Sequence, residues 1–176
     1  TSTLDVVAAL IDHSLLQSAP GAAQESRFSM LETVREFASH ELVAEGSAAP
    51  ARQVHAEYYL DLAESAEDEL TGPERDQWLA RLRDERLNLR SALEWGLESG
   101  RAELSLRLGA ALWRFWLSEG SLREGRSWLE RALAAGDDAP VSIRARALHF
   151  LGNLALDLGD GAHARALYQA SLALRR

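Results

Sequence analysis

Cysteine and lysine are both missing from this chain of 176 residues. Without cysteine there is no disulfide, no thiolate metal site and no cysteine nucleophile, a composition that fits a reducing compartment. Without lysine there is no Schiff base and no amine to serve a phosphate-binding loop, and no Gly-rich loop of that kind is present. All 19 cations are arginine, a bias that points to a GC-rich bacterial genome. No apolar run approaches the roughly 20 residues needed to cross a bilayer, and no signal peptide opens the sequence. A cytoplasmic protein without membrane contact is expected. Basic surface is scarce as well. Residues 1–50 hold two arginines, Arg27 and Arg35, against seven carboxylates, a net −5; residues 51–176 hold seventeen against twenty, a net −3. Neither stretch offers the basic face that neutralising DNA phosphates requires, so no direct nucleic-acid contact is expected.

Catalytic constellations are also wanting. The histidines, at 13, 40, 55, 149 and 163, fall into no HExxH or other metal-ligand spacing, and no nucleophile elbow is found. The Glu67-Asp68-Glu69 run reads as a solvated helix end. The expectation is a chain without a catalytic site, a metal or a cofactor of its own.

What is present is helical period. Leu4, Val7, Ala8 and Ile11 fall at i, i+3, i+4 and i+7, predicting an amphipathic first helix that Ser2 and Asp5 start with a capping box. Residues 14–30 break the period. An apolar run, Ser14-Leu15-Leu16-Gln17, meets a loop rich in Pro, Gly, Ser, Ala and Gln, and a second run, Arg27-Phe28-Ser29-Met30, leads back into helix; a small hairpin is predicted. Met30, Val34, Phe37, Ala38 and Leu42 mark a second helix, closed by Gly46 and a soft Ser47–Pro50 stretch. Val54, Tyr58, Leu62, Ala66 and Leu70 mark a third, whose other face, Glu57, Asp61, Glu64 and Asp68, reads as solvated. From Glu74 to Ser99 the pattern is unbroken, predicting one long helix or two meeting near Asp84–Arg86. Helical hairpins follow, 102–118 with 122–135 and 142–158 with 162–174.

These hairpins superimpose with an offset of 39: Gly120 falls on Gly159, Gly125 on Ala164, Ala132 on Ser171, Leu112 on Leu151 and Leu133 on Leu172. Repetition on this scale marks stacked helical units. Leu148-x-x-Leu151-Gly152-x-x-Ala155 and Ala164-x-x-x-Tyr168 resemble a tetratricopeptide repeat, with small residues at 152 and 164 letting two helices approach. This last repeat, 145–176, stops two residues short of a 34-residue unit and reads as cut within an array. Trp113 and Trp116, with Trp128 across the hairpin, could form an aromatic cage; filling the gap between degenerate repeats is the favoured reading.

The stretches LIDHSLLQ, RFSMLETVREFASHEL, RQVHAEYYLDLAE, WLARLRDERLNLRSALEW and LWRFWLSEGSLREGRSWLERAL resemble bacterial STAND-class regulators, predicted ATPases joined to LuxR-type or SARP-type DNA-binding domains. Asn88-Leu89-Arg90-x-Ala92-Leu93-x-Trp95 is the most characteristic run. The resemblance implies an all-α chain: the C-terminal part of a winged-helix domain at 1–46, with a two-stranded β-hairpin, then a tetratricopeptide-like right-handed superhelix at 51–176. It also implies an upstream NTPase domain in the same polypeptide, the only place for ATP or ADP and Mg. Where related NB-ARC proteins carry a phosphate-sensing Met-His-Asp, this chain has Met30-Leu31-Glu32, so the wing is expected to couple rather than to sense nucleotide. The function implied is a non-catalytic sensor and protein-interaction segment of a transcriptional regulator. The alternative is a free-standing tetratricopeptide adaptor.

A partner is expected in the groove lined by the first helix of each unit. Arg146, His149, Asn153 and Asp157 form a polar stripe opposite Leu148, Leu151 and Ala155, and the shift of 39 adds Arg107 and Arg114, with Ser118 nearby. Three arginines against one aspartate predict a basic lining suited to a protein or small acidic ligand.

Overall fold

The computed structural model describes residues 2–21 and 26–176, and the chain divides into two compact units, Thr1–Arg52 and Gln53–Arg176. In the first, α1 (Thr3–Asp12), β1 (Leu16–Pro20), β2 (Ser26–Met30) and α2 (Glu32–Ala44) follow in order. The Ser2 amide donates to Asp5 Oδ2 (2.9 Å) and the Asp5 amide donates to Ser2 Oγ (3.2 Å), the reciprocal cap that starts α1. Ser14 adopts a left-handed φ of 57° and turns the chain out of α1.

The two strands pair antiparallel, Leu16 opposite Met30, Ser18 opposite Phe28 and Pro20 opposite Ser26. The first strand thus begins two residues after Ser14 and takes in Ser18, Ala19 and Pro20, which composition assigned to the loop. Pro20 is tolerated because it ends a two-stranded ribbon, where each strand keeps an unpaired edge. Residues 22–25 of the expected loop lie outside the described residues. None of the described side chains in this unit is buried. Leu4, Phe28, Leu31, Phe37 and Val43 all stand in solvent.

The remaining helices are α3 (Ala48–Glu69), α4 (Arg75–Asp84), α5 (Arg86–Glu98), α6 (Ala102–Ala111), α7 (Trp113–Ser118), α8 (Leu122–Ala135), α9 (Val141–Asp157) and α10 (Gly161–Leu174). Ala48–Pro50 is the opening turn of α3, not a soft connector. A proline there forfeits an amide that has no acceptor inside the helix. The stripe expected on α3 holds at Leu62, Ala66 and Leu70, which are buried, but Val54 and Tyr58 are exposed, and Ala56, Leu60 and Ala63 are buried instead. Residues 74–99 form two helices, separated at Glu85. The helix expected over 102–118 is interrupted at Leu112, although i→i−4 bonds of 3.0 Å cross the break from Leu112 to Leu108 and from Trp116 to Leu112.

The offset of 39 holds for the backbone. The pair α6–α7 (102–118) maps onto α9 (141–157), and α8 (122–135) onto α10 (161–174). Gly120 and Gly159 take φ of 65° and 83° at corresponding turns, and the following amides, Ser121 and Asp160, close on Trp116 and Ala155 carbonyls at 2.9 Å. Glycine also permits the closest helix contacts. A Cβ on Gly152 would stand 2.5 Å from Tyr168 Cε1, and one on Gly125 would stand 2.4 Å from Trp116 Cε3. Leu106, Leu108, Leu112, Phe115, Leu129, Leu151 and Leu154 fill the core between these helices. The fold is all-α apart from the hairpin, with helical repeats after an N-terminal helix–hairpin–helix element.

Candidate interaction surface

The expected groove residues lie on α6, α7 and α9, and their side chains are engaged in three different ways. Arg107 grips Glu64 of α3 with two parallel bonds, Nε to Oε1 at 2.9 Å and an Nη to Oε2 at 2.8 Å. Arg146 bonds Glu67, also of α3, and its guanidinium lies 5.6 Å from the Phe150 ring centroid. Arg114 rests over the Trp113 ring at 4.6 Å and carries no carboxylate partner among the described residues. The basic lining predicted from spacing is therefore largely neutralised by α3. Glu64 and Glu67 were read as solvated. They are half-buried partners of the groove arginines instead. The missed signal was an acidic face on α3 that meets arginines of α6 and α9.

Of the other residues, Ser118 and Asn153 are hydrogen-bonded within the fold, and His149 and Asp157 stand in solvent. Ser118 Oγ accepts from Arg75 (3.1 Å). Asn153 Oδ1 accepts from the Tyr168 hydroxyl (2.9 Å), which burial, aided by the Asp157 charge, holds above its ordinary pKa. His149 is exposed, edge-on to Phe150 at 5.4 Å and tilted against Tyr168 at 5.6 Å. Asp157 is exposed.

The tryptophans separate. Trp116 is buried on Gly125, Trp128 lies beneath Arg131 (4.5 Å), and Trp113 stacks on Phe150 with centroids 5.1 Å apart and planes at 12°. They do not converge into a cage. Instead Arg114, Trp113, Phe150 and Arg146 form a chain of cation–π and stacked contacts running from α7 to α9. The Trp113 indole N–H is shielded and meets no acceptor. Phe150 was not singled out from sequence, because alone it reads as core.

The run Asn88 to Trp95 has a mechanical reading. Asn88 Nδ2 (2.6 Å) and the Tyr59 hydroxyl (2.8 Å) both donate to Glu85 Oε2, clasping α3 to the α4–α5 junction. Arg90 and Arg86 both reach Glu124 of α8, Arg131 of α8 reaches Glu94 of α5 (2.8 Å), and Arg126 of α8 reaches Asp160 ahead of α10 (3.4 Å). Successive second helices are laced by charge.

In the first unit Leu31 is apolar and Glu32 is occupied by Arg35 within its own turn. Among the described residues no group of three His, Cys, Asp or Glu side chains could hold a metal ion, and no helix is long and apolar enough to cross a membrane.

A family model for a winged helix-turn-helix domain matches residues 1–43. No curated protein matches the chain. Winged helix-turn-helix domains serve DNA-binding and regulatory roles.

Proposed function

We propose that this chain is the non-catalytic sensor and protein-interaction segment of a cytoplasmic bacterial regulator of the STAND type, with a LuxR- or SARP-type DNA-binding domain and an NTPase domain elsewhere in its polypeptide. The observation that carries this reading is the order along one chain of a winged helix-turn-helix match and helical repeats. In this reading the repeats bind a protein, the winged element relays that binding to the NTPase domain, and ATP or ADP with Mg belongs to that domain alone.

The winged element faces protein rather than DNA. Residues 1–50 carry only Arg27 and Arg35 against seven carboxylates, and Arg35 is spent on Glu32. Within the repeats, the partner-binding face centres on Arg114, Trp113, Phe150 and His149, since Arg107 and Arg146 are closed by α3. A partner carboxylate beside an aromatic or apolar side chain matches this arrangement.

The test is affinity capture of partners by the chain, with Arg114→Ala and Arg146→Ala as separate variants. Arg114→Ala should lose the partner and keep its thermal midpoint. Arg146→Ala should lower the midpoint by uncovering Glu67. Capture that survives Arg114→Ala removes the face from consideration, and salt-dependent binding of duplex DNA by the chain overturns the protein-facing role of the wing.

A further inference from the structure

We propose that Glu64 and Glu67 of α3 are built-in occupants of an arginine row on the repeats, an autoinhibitory contact that an acidic segment of a partner protein displaces. The gate rests on the partner face proposed above and adds Arg107 and Arg146 to it once they are released. Arg114 is the member of the row already open, over the Trp113 ring and without a carboxylate among the described residues.

The repeat makes the two closed arginines equivalent. Arg107 shifted by 39 is Arg146, and Glu64 and Glu67, which hold them, lie three residues apart on one face of α3. One helix therefore fills the same position in two successive repeats. No carboxylate of α6, α7 or α9 pairs with either arginine among the described residues. Glu103 and Asp61 do act on Arg107 through their charge, so Arg146 is the easier of the two to release.

The contacts are placed to exchange. The Arg107 and Arg146 side chains are 37% and 36% exposed, and ion pairs so open to water hold weakly. Release needs only two glutamate side chains to turn outward; the buried Ala56, Leu60, Ala63 and Ala66 keep α3 in its place. The Phe150 ring keeps the Arg146 guanidinium at the face after Glu67 lets go. Trp113, stacked on Phe150, lies between Arg114 and Arg146. A segment that gives one carboxylate to Arg114 thus carries its neighbouring acids toward Arg146.

The probe is a fluorophore-labelled hexaglutamate peptide, titrated into the full chain at low ionic strength and followed by anisotropy. Glu64→Gln combined with Glu67→Gln should tighten its binding about fivefold or more, with the circular dichroism spectrum unchanged. Glu74→Gln combined with Glu98→Gln removes the same charge from exposed acids that hold no arginine among the described residues, and should change binding by less than about twofold. Adding Arg146→Gln to the first pair should return the affinity to the wild-type value or below. Equal effects of the two double variants assign the change to net charge and overturn the gate. Tightening that survives Arg146→Gln overturns it too, as does absence of binding by the Glu64→Gln and Glu67→Gln variant. Where that variant loses helical signal, Glu67→Gln alone carries the test, with about twofold to threefold tightening expected. Cellular capture lost in Arg114→Ala without tightening in the glutamine variants removes the gate and leaves the face. Tightening while Arg114→Ala retains capture shows an acid-binding row that the cellular partner does not use, and overturns the gate together with the face.

Discussion

The first unit and the second carry the same helical period in sequence and put it to different use. In Thr1–Arg52 no described side chain is buried, and Phe37, on the apolar face of α2, is 68% exposed. In Gln53–Arg176 the same spacing closes a core in which Phe115 is 1% and Leu129 0% exposed. Periodicity states which face is apolar. It does not state that something lies against that face. The helices and hairpin of the first unit are held by caps and backbone pairing, and side chains such as Val7, Ile11, Met30 and Val34 are no more than half-buried.

Paired truncations break this comparison most forcefully. Phe115→Ala should cost about 3–5 kcal/mol in urea unfolding, through lost burial and the cavity left behind. Phe37→Ala should fall within about 0.5 kcal/mol, as surface changes do. An equal cost for the two would show that Phe37 is covered in solution. Next in size is Gly152→Val. Its Cβ meets the Tyr168 ring at 2.5 Å, so α9 and α10 must separate, at about 1–3 kcal/mol. The same change at Gly46, where a Cβ meets nothing within 4 Å, reports only backbone strain at φ 71°.

Smaller again is Glu124→Gln, expected to lower stability by about 1 kcal/mol at neutral pH because Arg86 and Arg90 are partly exposed. The Arg90 hydrogen bond, opposed by burial and seconded by Arg86, holds the Glu124 carboxyl below the usual range. The folded pKa lies under the unfolded one, so the stabilisation is complete above about pH 4.3 and is lost as pH falls through the folded value. Unfolding measured across pH 7 to 3 should show the gap between wild type and variant closing in acid. The smallest effect sharpens the comparison from the other side: Ser2→Ala should shorten amide protection in α1 alone, at about 1 kcal/mol or less, with no change in hydrogen exchange of α8 or α10.

Much of this architecture was legible. The hairpin, the glycine stops at 120 and 159 and the 39-residue offset all follow from the local pattern of residues, and the break near Asp84–Arg86 was one of the two readings that pattern allowed. What was illegible is pairwise and distant. Glu64 and Arg107 are 43 positions apart, and Glu67 and Arg146 are 79 apart. No local pattern says that an acidic helix face will turn toward an arginine stripe rather than toward water. The stripe of α3 was legible in its second half, where Leu62, Ala66 and Leu70 are buried, and not in its first, where Val54 and Tyr58 are exposed.

Glu124 serves two arginines one helical turn apart on α5, Arg86 at 2.8 Å and Arg90 at 2.6 Å. A single carboxylate divided in this way behaves like a vernier. Leucine surfaces tolerate sliding, since one side chain can take the place of the next with little change in buried area. The fork does not. Moving α8 along α5 by the rise of one residue, about 1.5 Å, draws one guanidinium out of hydrogen-bond reach with no gain at the other. Greasy layers decide that the two helices touch. This small ionic gauge decides at which notch they stop.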